Sequence, residues 1–195
     1  MTGGYDAETD DSLRARYYVA VLTPATSANK NQYVAWAESV SGVGGAKCYP
    51  LANGANTVGI CIIDSNHQPA SAELVAAVQT YIDPGSAGIG EGAAPIGAYC
   101  TVTSAVGLSI NVACMVTLAS GYDAAAVLAN VTAGIKVYLA SIAFSATYVS
   151  CAKIANAIND AEGILDYSGL TINGGTDNIT VPDKSVAIVG TVSMA

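Results

Sequence analysis

Charge is what this sequence has least of. Asp, Glu, Lys and Arg together make up 11% of its 195 residues, against roughly a quarter in an ordinary soluble domain. A chain so poor in ionised side chains must leave uncharged or apolar surface on its outside, and surface of that kind is usually covered by a partner. Its seven Lys and Arg form no basic cluster, and the formal net charge is −8, so nothing is available to neutralise a run of phosphates and nucleic acid is excluded as a partner. The acidic residues are spread thinly, which sets solubility and makes no interaction tail.

Histidine is nearly absent too. A Ser/His/Asp triad or Cys/His dyad would have one possible base, His67, and it lies in the turn Asp64-Ser65-Asn66-His67-Gln68-Pro69. The oxygen-bearing side chains of Asp64, Asn66 and Gln68 faintly resemble a calcium loop, but the required glycine and distal bidentate Glu are missing. No metal or cofactor is expected. Cysteine is present as an odd five, Cys48, Cys61, Cys100, Cys114 and Cys151, with no CxxC pair; these read as small buried hydrophobes in a reducing cytoplasm. The opening Met1-Thr2-Gly3-Gly4 lacks the basic flank and apolar core of a signal peptide, so synthesis without export is expected. The longest apolar run, 124–144, is broken by Asn130, Thr132, Lys136 and Ser141, and reads as an amphipathic helix with no membrane insertion.

What the sequence has is periodicity, with 52% apolar residues to carry it. Thr9 before Asp10 and Asp11 predicts a helix start, with Leu13, Tyr17 and Leu22 on its apolar side and Pro24 as its stop. Ser27 can cap a second helix carrying Tyr33, Val34, Ala37 and Val40. Strands over 46–51 and 57–64, joined through Asn53-Gly54-Ala55-Asn56, predict a hairpin. Ser71 then caps a helix striped by Leu74, Val75, Val78 and Ile82, with Pro84 as its stop. Residues 84–95, rich in glycine, read as a connector between domains and as a candidate hinge.

Beyond it, 99–104 and 108–118 read as paired strands, the second alternating Leu108, Ile110, Val112, Cys114, Val116 and Leu118 against milder residues. Asp123 starts the most regular helix, striped by Val127, Leu128, Val131, Ile135, Tyr138, Leu139 and Ile142. Ser150 begins another with Cys151, Ile154, Ala155 and Ile158 inward, followed by strands over 164–167, 170–173, 178–181 and 186–192, with Asn173-Gly174-Gly175 as a turn. This order predicts an α+β fold of two small domains, 1–92 and 93–195, each of mainly antiparallel strands packed with helices.

Few residues qualify for chemistry. Gly88-Ile89-Gly90-Glu91-Gly92 has the glycines of a phosphate cradle but neither a following helix N-terminus nor a lysine. Glu91, Asp160, Glu162 and Asp166 are the carboxylates a glycosidase pair would draw on, and nothing in their spacing converges them. Trp36 and the tyrosines could stack on a sugar, or anchor a core and subunit interfaces. No catalytic, cofactor-binding or metal residue is assigned.

The ordered segments AETDDSLRARY (7–17), TPATSANKNQYVAWAESVSGVGGAKCYPLANGANTV (23–58), DSNHQPASAELVAAVQTYIDP (64–84) and GEGAAPIGA (90–98) resemble the central domain of baseplate J-like proteins and its exit. TYVSCAKIANAINDAEGILDYSGLTINGGTDNITVPDKSVAIVGTV (147–192) is similar to that family's C-terminal domain. The resemblance implies a non-enzymatic structural subunit of the baseplate wedge in a contractile phage tail or related injection device. Such a subunit would assemble with copies of itself and with other baseplate and tail proteins, made and assembled in the bacterial host cytoplasm, and would pass on the change that triggers sheath contraction. Family members usually carry a region ahead of the AETD-like segment, so Met1 is expected to begin a shortened or partial chain. A tail-borne module holding a cell-surface glycan on a stacking platform of Trp36 and exposed tyrosines is the alternative, and a wall-degrading enzyme ranks last.

Overall fold

The computed structural model describes residues 9–22 and 26–195; the expected stop at Pro24 lies outside them. The chain opens with helix α1 (Asp10–Leu22), started by Thr9, whose hydroxyl accepts the Ser12 N–H at 3.3 Å. Helix α2 (Lys30–Glu38) is capped by Asn29, whose side chain accepts the Gln32 N–H at 2.8 Å, and not by Ser27. Ser27 and Ala28 stand in the left-handed region, φ 51 and 56, so the turn they make delivers the better-placed Asn to the cap.

Strands β1 (Val43–Pro50) and β2 (Thr57–Asp64) form the expected antiparallel hairpin. Helix α3 (Ala72–Ile82) follows, capped by Ser71, and a 3-10 turn at Pro84–Ser86 ends it. Strand β3 (Tyr99–Ser104) then runs parallel to β2 in a sheet ordered β1-β2-β3. Here the expected pairing is corrected. The single residue between β3 (ending at Ser104) and the strand that begins at Val106 is too short a link to fold one back on the other, whereas the α3 crossover is long enough to bring β3 parallel to β2. Tyr33, Ala37, Ile60, Ile62, Val78, Ile82 and Cys100 fill the core between this sheet, α2 and α3.

One residue, Ala105, separates β3 from β4 (Val106–Leu118). Helix α4 (Ala124–Ser141) is capped by Asp123, which accepts the Ala125 and Ala126 N–H groups. A two-residue strand β5 (Tyr148–Val149), helix α5 (Cys151–Asn159), strand β6 (Ile164–Ile172), a two-residue strand β7 (Ile179–Thr180) and strand β8 (Ser185–Met194) complete the chain. The second sheet is ordered β6-β4-β8, with β4 antiparallel to β6 and parallel to β8, and β5 pairs with β7 apart from it. The stretches 164–167 and 170–173 expected as two strands are one bulged strand, with Gly169 at φ 63.

The fold is thus α+β, in two lobes. Each three-stranded sheet is mixed, with one antiparallel and one parallel ladder where mainly antiparallel pairing was expected, and the β5–β7 pair is antiparallel. In the second lobe the alternation of β4 buries Ile110, Val112 and Cys114, and the stripe Val127, Val131, Ile135 and Leu139 of α4 closes over them with Ile154 and Ile158 of α5. Each such side chain contributes roughly 1.5–3 kcal/mol when fully buried. By length and composition α4 could cross a membrane, but this stripe is occupied by β8 and α5. Asn111 fills the bulge in the β4–β8 ladder, its Oδ1 accepting the Thr191 N–H at 2.8 Å.

The join expected near Gly92 does not coincide with the division between the sheets. Residues 84–95 connect α3 to β3 inside the first lobe, so they cannot hinge one lobe on the other. The sheets instead meet at Ala105, whose N–H donates to Ile62 O while the next N–H, of Val106, donates to Lys184 O, both at 2.9 Å. Around it Cys61, Ile63, Ala105 and Val186 are buried together, flanked by Tyr49, Phe144 and Ile188.

Candidate interaction surface

The residues singled out for chemistry are engaged structurally. Asp64 Oδ1 accepts the N–H groups of Asn66 and Gln68 at 2.8 Å each, closing a turn in which His67 has φ 57. That oxygen is spent on backbone donors, and the loop is an Asx turn. Among the described residues no group of three or more His, Cys, Asp or Glu is placed to hold a metal ion. Asp160 and Glu162 both line a shallow groove between α4 and α5. Glu162 accepts the Tyr122 hydroxyl at 2.8 Å, which pushes that phenol's pKa up. Asp166 accepts its neighbour's N–H, from Tyr167, at 2.8 Å, and Glu91 sits in the first lobe, so no cleft gathers the four.

Trp36 is half-buried and set edge-on against the buried Tyr33, with ring centroids 5.1 Å apart at 80°. A ring held this way works as a wedge at the rim of a core. Burial, with lesser contributions from Cys100, Cys48 and Asp83, raises the Tyr33 pKa to about 12. Cys48, Cys61, Cys100 and Cys114 are buried and Cys151 is half-buried, as expected of small apolar fillers.

The glycine-rich segment is folded onto the first lobe by groups the sequence reading passed over. Asp83, 2% exposed, accepts the Gly88 N–H on Oδ1 at 3.0 Å and the Cys100 N–H on Oδ2 at 2.8 Å. Gln79 accepts the Val102 N–H at 2.8 Å and donates to Cys100 O at 3.0 Å, and the Ser86 hydroxyl donates to the same carbonyl at 2.5 Å. Side chains thereby satisfy the edge of β3 where another strand would otherwise pair. The signal was an Asp directly before the proline that ends α3, read only as a stop.

That fold has an outward consequence. Gly88 lies against the Tyr99 ring and Gly90 against the Ile96 side chain, while Ile89, Ile96 and Tyr99 stand 57%, 83% and 47% exposed. Leu13, Tyr17, Tyr18, Val21 and Leu22 are exposed along α1, the one helix that packs on no sheet of its own chain among the described residues. Apolar side chains set outward in groups mark surfaces for other proteins.

Polar groups gather where the lobes meet. The Tyr49 hydroxyl donates to Asp183 Oδ1 at 2.7 Å, Lys47 Nζ lies 3.9 Å from the same oxygen, and Lys184 Nζ sits 4.8 Å from the Tyr49 ring centroid. The Tyr49 hydrogen bond holds the Asp183 carboxyl below its usual range, while burial, then that bond, pushes the Tyr49 pKa up.

These features define a class: a two-lobed α+β protein that presents apolar and polar surfaces, without converging its candidate catalytic residues. The chain belongs to the baseplate J-like family. Its residues 25–104 match the Baseplate J-like central domain and its residues 109–195 the Baseplate J-like protein C-terminal domain. It is 38% identical over 191 residues to the phage-like element PBSX protein XkdT of Bacillus subtilis (strain 168), covering 98% of this chain and 55% of that one. It is 30% identical over 201 residues to the putative protein JayE of Escherichia coli (strain K12), covering 99% and 69%. It is also 39% identical over 81 residues to the baseplate protein gp47 of Escherichia phage Mu, covering 39% and 22%. The chain therefore spans about half the length of the Bacillus relative. Its fold matches a chain in a cryo-EM structure of the anti-feeding prophage baseplate, six-fold symmetrised, with a TM-score of 0.62 at 10% identity, covering 96% of this chain and 43% of that one.

Proposed function

We propose that the protein is a non-enzymatic structural subunit of the baseplate wedge in a contractile phage tail or related injection device. The observation that carries this reading is the order and extent of the two family domains, which together take up nearly the whole described chain from residue 25 onward. The sparse charge and the outward apolar groups on α1 and on the 85–98 loop support it, since a subunit built to be covered can spare ionised residues.

In this reading the protein joins copies of itself and other baseplate and tail proteins, neither binding nucleic acid nor entering a membrane. It is made in the host cytoplasm and ends in the tail baseplate. Its two lobes, divided at Ala105, are two domains that move as a unit when the baseplate changes shape and sheath contraction is triggered. The glycan-holding alternative is the less favoured, because Trp36, one part of its platform, is half-buried and wedged against Tyr33.

The test is co-expression with neighbouring tail proteins, followed by co-purification and mass measurement. Stable complexes containing those neighbours are the expected result. A solitary monomer at high concentration that ignores them overturns the proposal.

A further inference from the structure

On a chain with net charge −8 and only seven Lys and Arg, three lysines meet at one place. A cleft of about 400 Å³ between the start of α2, strand β1 and the β7–β8 turn is lined by Lys30, Lys47, Val34, Tyr49, Pro50 and Asp183, among others. Lys184 stands over the Tyr49 ring that forms its wall. The cleft's carboxylate, Asp183, already serves Tyr49 and Lys47. Lys30 is exposed at the first position of α2, with no ion pair among the described residues. A site so built attracts an acidic group backed by apolar side chains.

Such a group exists on the chain itself. Asp10, Leu13, Arg14 and Tyr17 share one face of α1, at three- and four-residue spacing, and line a common hollow. Among the described residues Asp10 has no ion pair and α1 makes no extensive contact with a sheet of its own chain, and Leu13 and Tyr17 are 50% and 61% exposed. Arg14 on this face is paired with Asp11 at 3.3 Å, so the face offers Asp10, Leu13 and Tyr17 to a cleft holding Lys30, Val34 and Pro50.

We propose that the cleft receives the α1 face of a second copy of this chain, Asp10 meeting Lys30, with Leu13 and Tyr17 covering Val34 and Pro50. Arm and cleft are different patches, so the contact is heterologous; it closes if two copies exchange arms or if copies follow one another around a ring. This inference rests on the assembly reading above and supplies the contact by which copies join.

The experiment is sedimentation velocity of the full chain over a range of concentrations, with Lys30→Glu, Asp10→Lys and the double variant. Both positions are exposed, so thermal unfolding of the variants serves as the control for folding. Each single reversal is expected to weaken self-association roughly tenfold or more, and the double variant to restore it, since the charged pair is rebuilt with its signs exchanged. Association indifferent to both single changes overturns the proposal, as does a double variant no better than either single. A monomer at every concentration, with α1 seated on its own cleft, overturns it too. Inorganic phosphate or an oligonucleotide bound by the unaltered chain and released by Lys30→Glu, without any change in association, assigns the cleft to phosphate instead. If the assembly reading fails, no tail protein co-purifies with any variant; if only this inference fails, co-purification and self-association persist unchanged in all of them.

Discussion

Asp83 and Cys100 are joined by a buried hydrogen bond, the Cys100 N–H donating to Asp83 Oδ2 at 2.8 Å across seventeen residues of chain. The other oxygen of the same carboxylate holds the Gly88 N–H. One side chain thus shapes the loop after α3 and caps the outer edge of β3.

Removing that side chain leaves two backbone donors without a partner inside the lobe, each costing about 1–3 kcal/mol. Asp83→Ala is therefore expected to destabilise the chain by about 2–5 kcal/mol, read from the midpoint of urea unfolding. Faster amide exchange at Gly88 and Cys100 should accompany it, with exchange in β4 following only the global loss.

Alkaline conditions should weaken the fold. The Cys100 thiol is pushed from 9.0 to about 12, by burial first and by Asp83 second, and Cys48 and Cys114 are also raised by burial. A raised folded-state pKa favours the protonated thiol in the native chain, so its stabilisation is whole below the unfolded value and fades as pH climbs from about 9 toward 12. The urea midpoint should fall between pH 8 and pH 10, and Cys100→Ala should show a smaller fall relative to its own value at pH 8.

Gly163, just before β6, has φ +95, and a Cβ there would stand 2.6 Å from both Val127 and the Tyr122 ring. An alanine must adopt a left-handed backbone and displace α4 at the same time. Gly163→Ala is expected to cost about 2–4 kcal/mol and to lower the thermal midpoint, whereas Gly121→Ala, with the same sign of φ but open space around it, should cost less.

Ile96 and Ile135 separate surface from core. Ile135 is fully buried under the second sheet while Ile96 is 83% exposed, so Ile135→Ala should cost about 2–5 kcal/mol and Ile96→Lys should stay within about 0.5 kcal/mol. In co-purification with tail proteins the order reverses for intact, folded chains: Ile96→Lys is expected to reduce recovery of partners. Unchanged recovery would remove the 85–98 loop from the contact surface.

What could be read from the sequence was what repeats locally. The stripe of α4, the alternation of β4, the caps at Ser71, Asp123 and Ser150 and the first hairpin all stand where their spacing placed them. Parallel pairing was hidden, because the partner of β3 lies across α3 and that of β4 across five intervening elements, and spacing carries no record of such distant neighbours. The lobe boundary was misplaced for a related reason. Glycines between 85 and 97 resemble a loose connector until Asp83, Gln79 and Ser86 are seen to bind the strand they lead to. Ala105, where the sheets do meet, carries no compositional mark at all. The lysine cleft was equally hidden, since Lys30, Lys47 and Lys184 come from three distant parts of the chain.

The step at Ala105 sets a rule for how such chains can vary in length. Strands on either side are both locked in ladders, and neighbouring amides are committed to opposite lobes. Adding or deleting one amino acid there would turn every second side chain of β3 or β4 to the wrong face. Insertions should accumulate instead in reversals such as 52–56 or 173–178, and the spacing between the two strands should be among the least elastic measurements along the polypeptide.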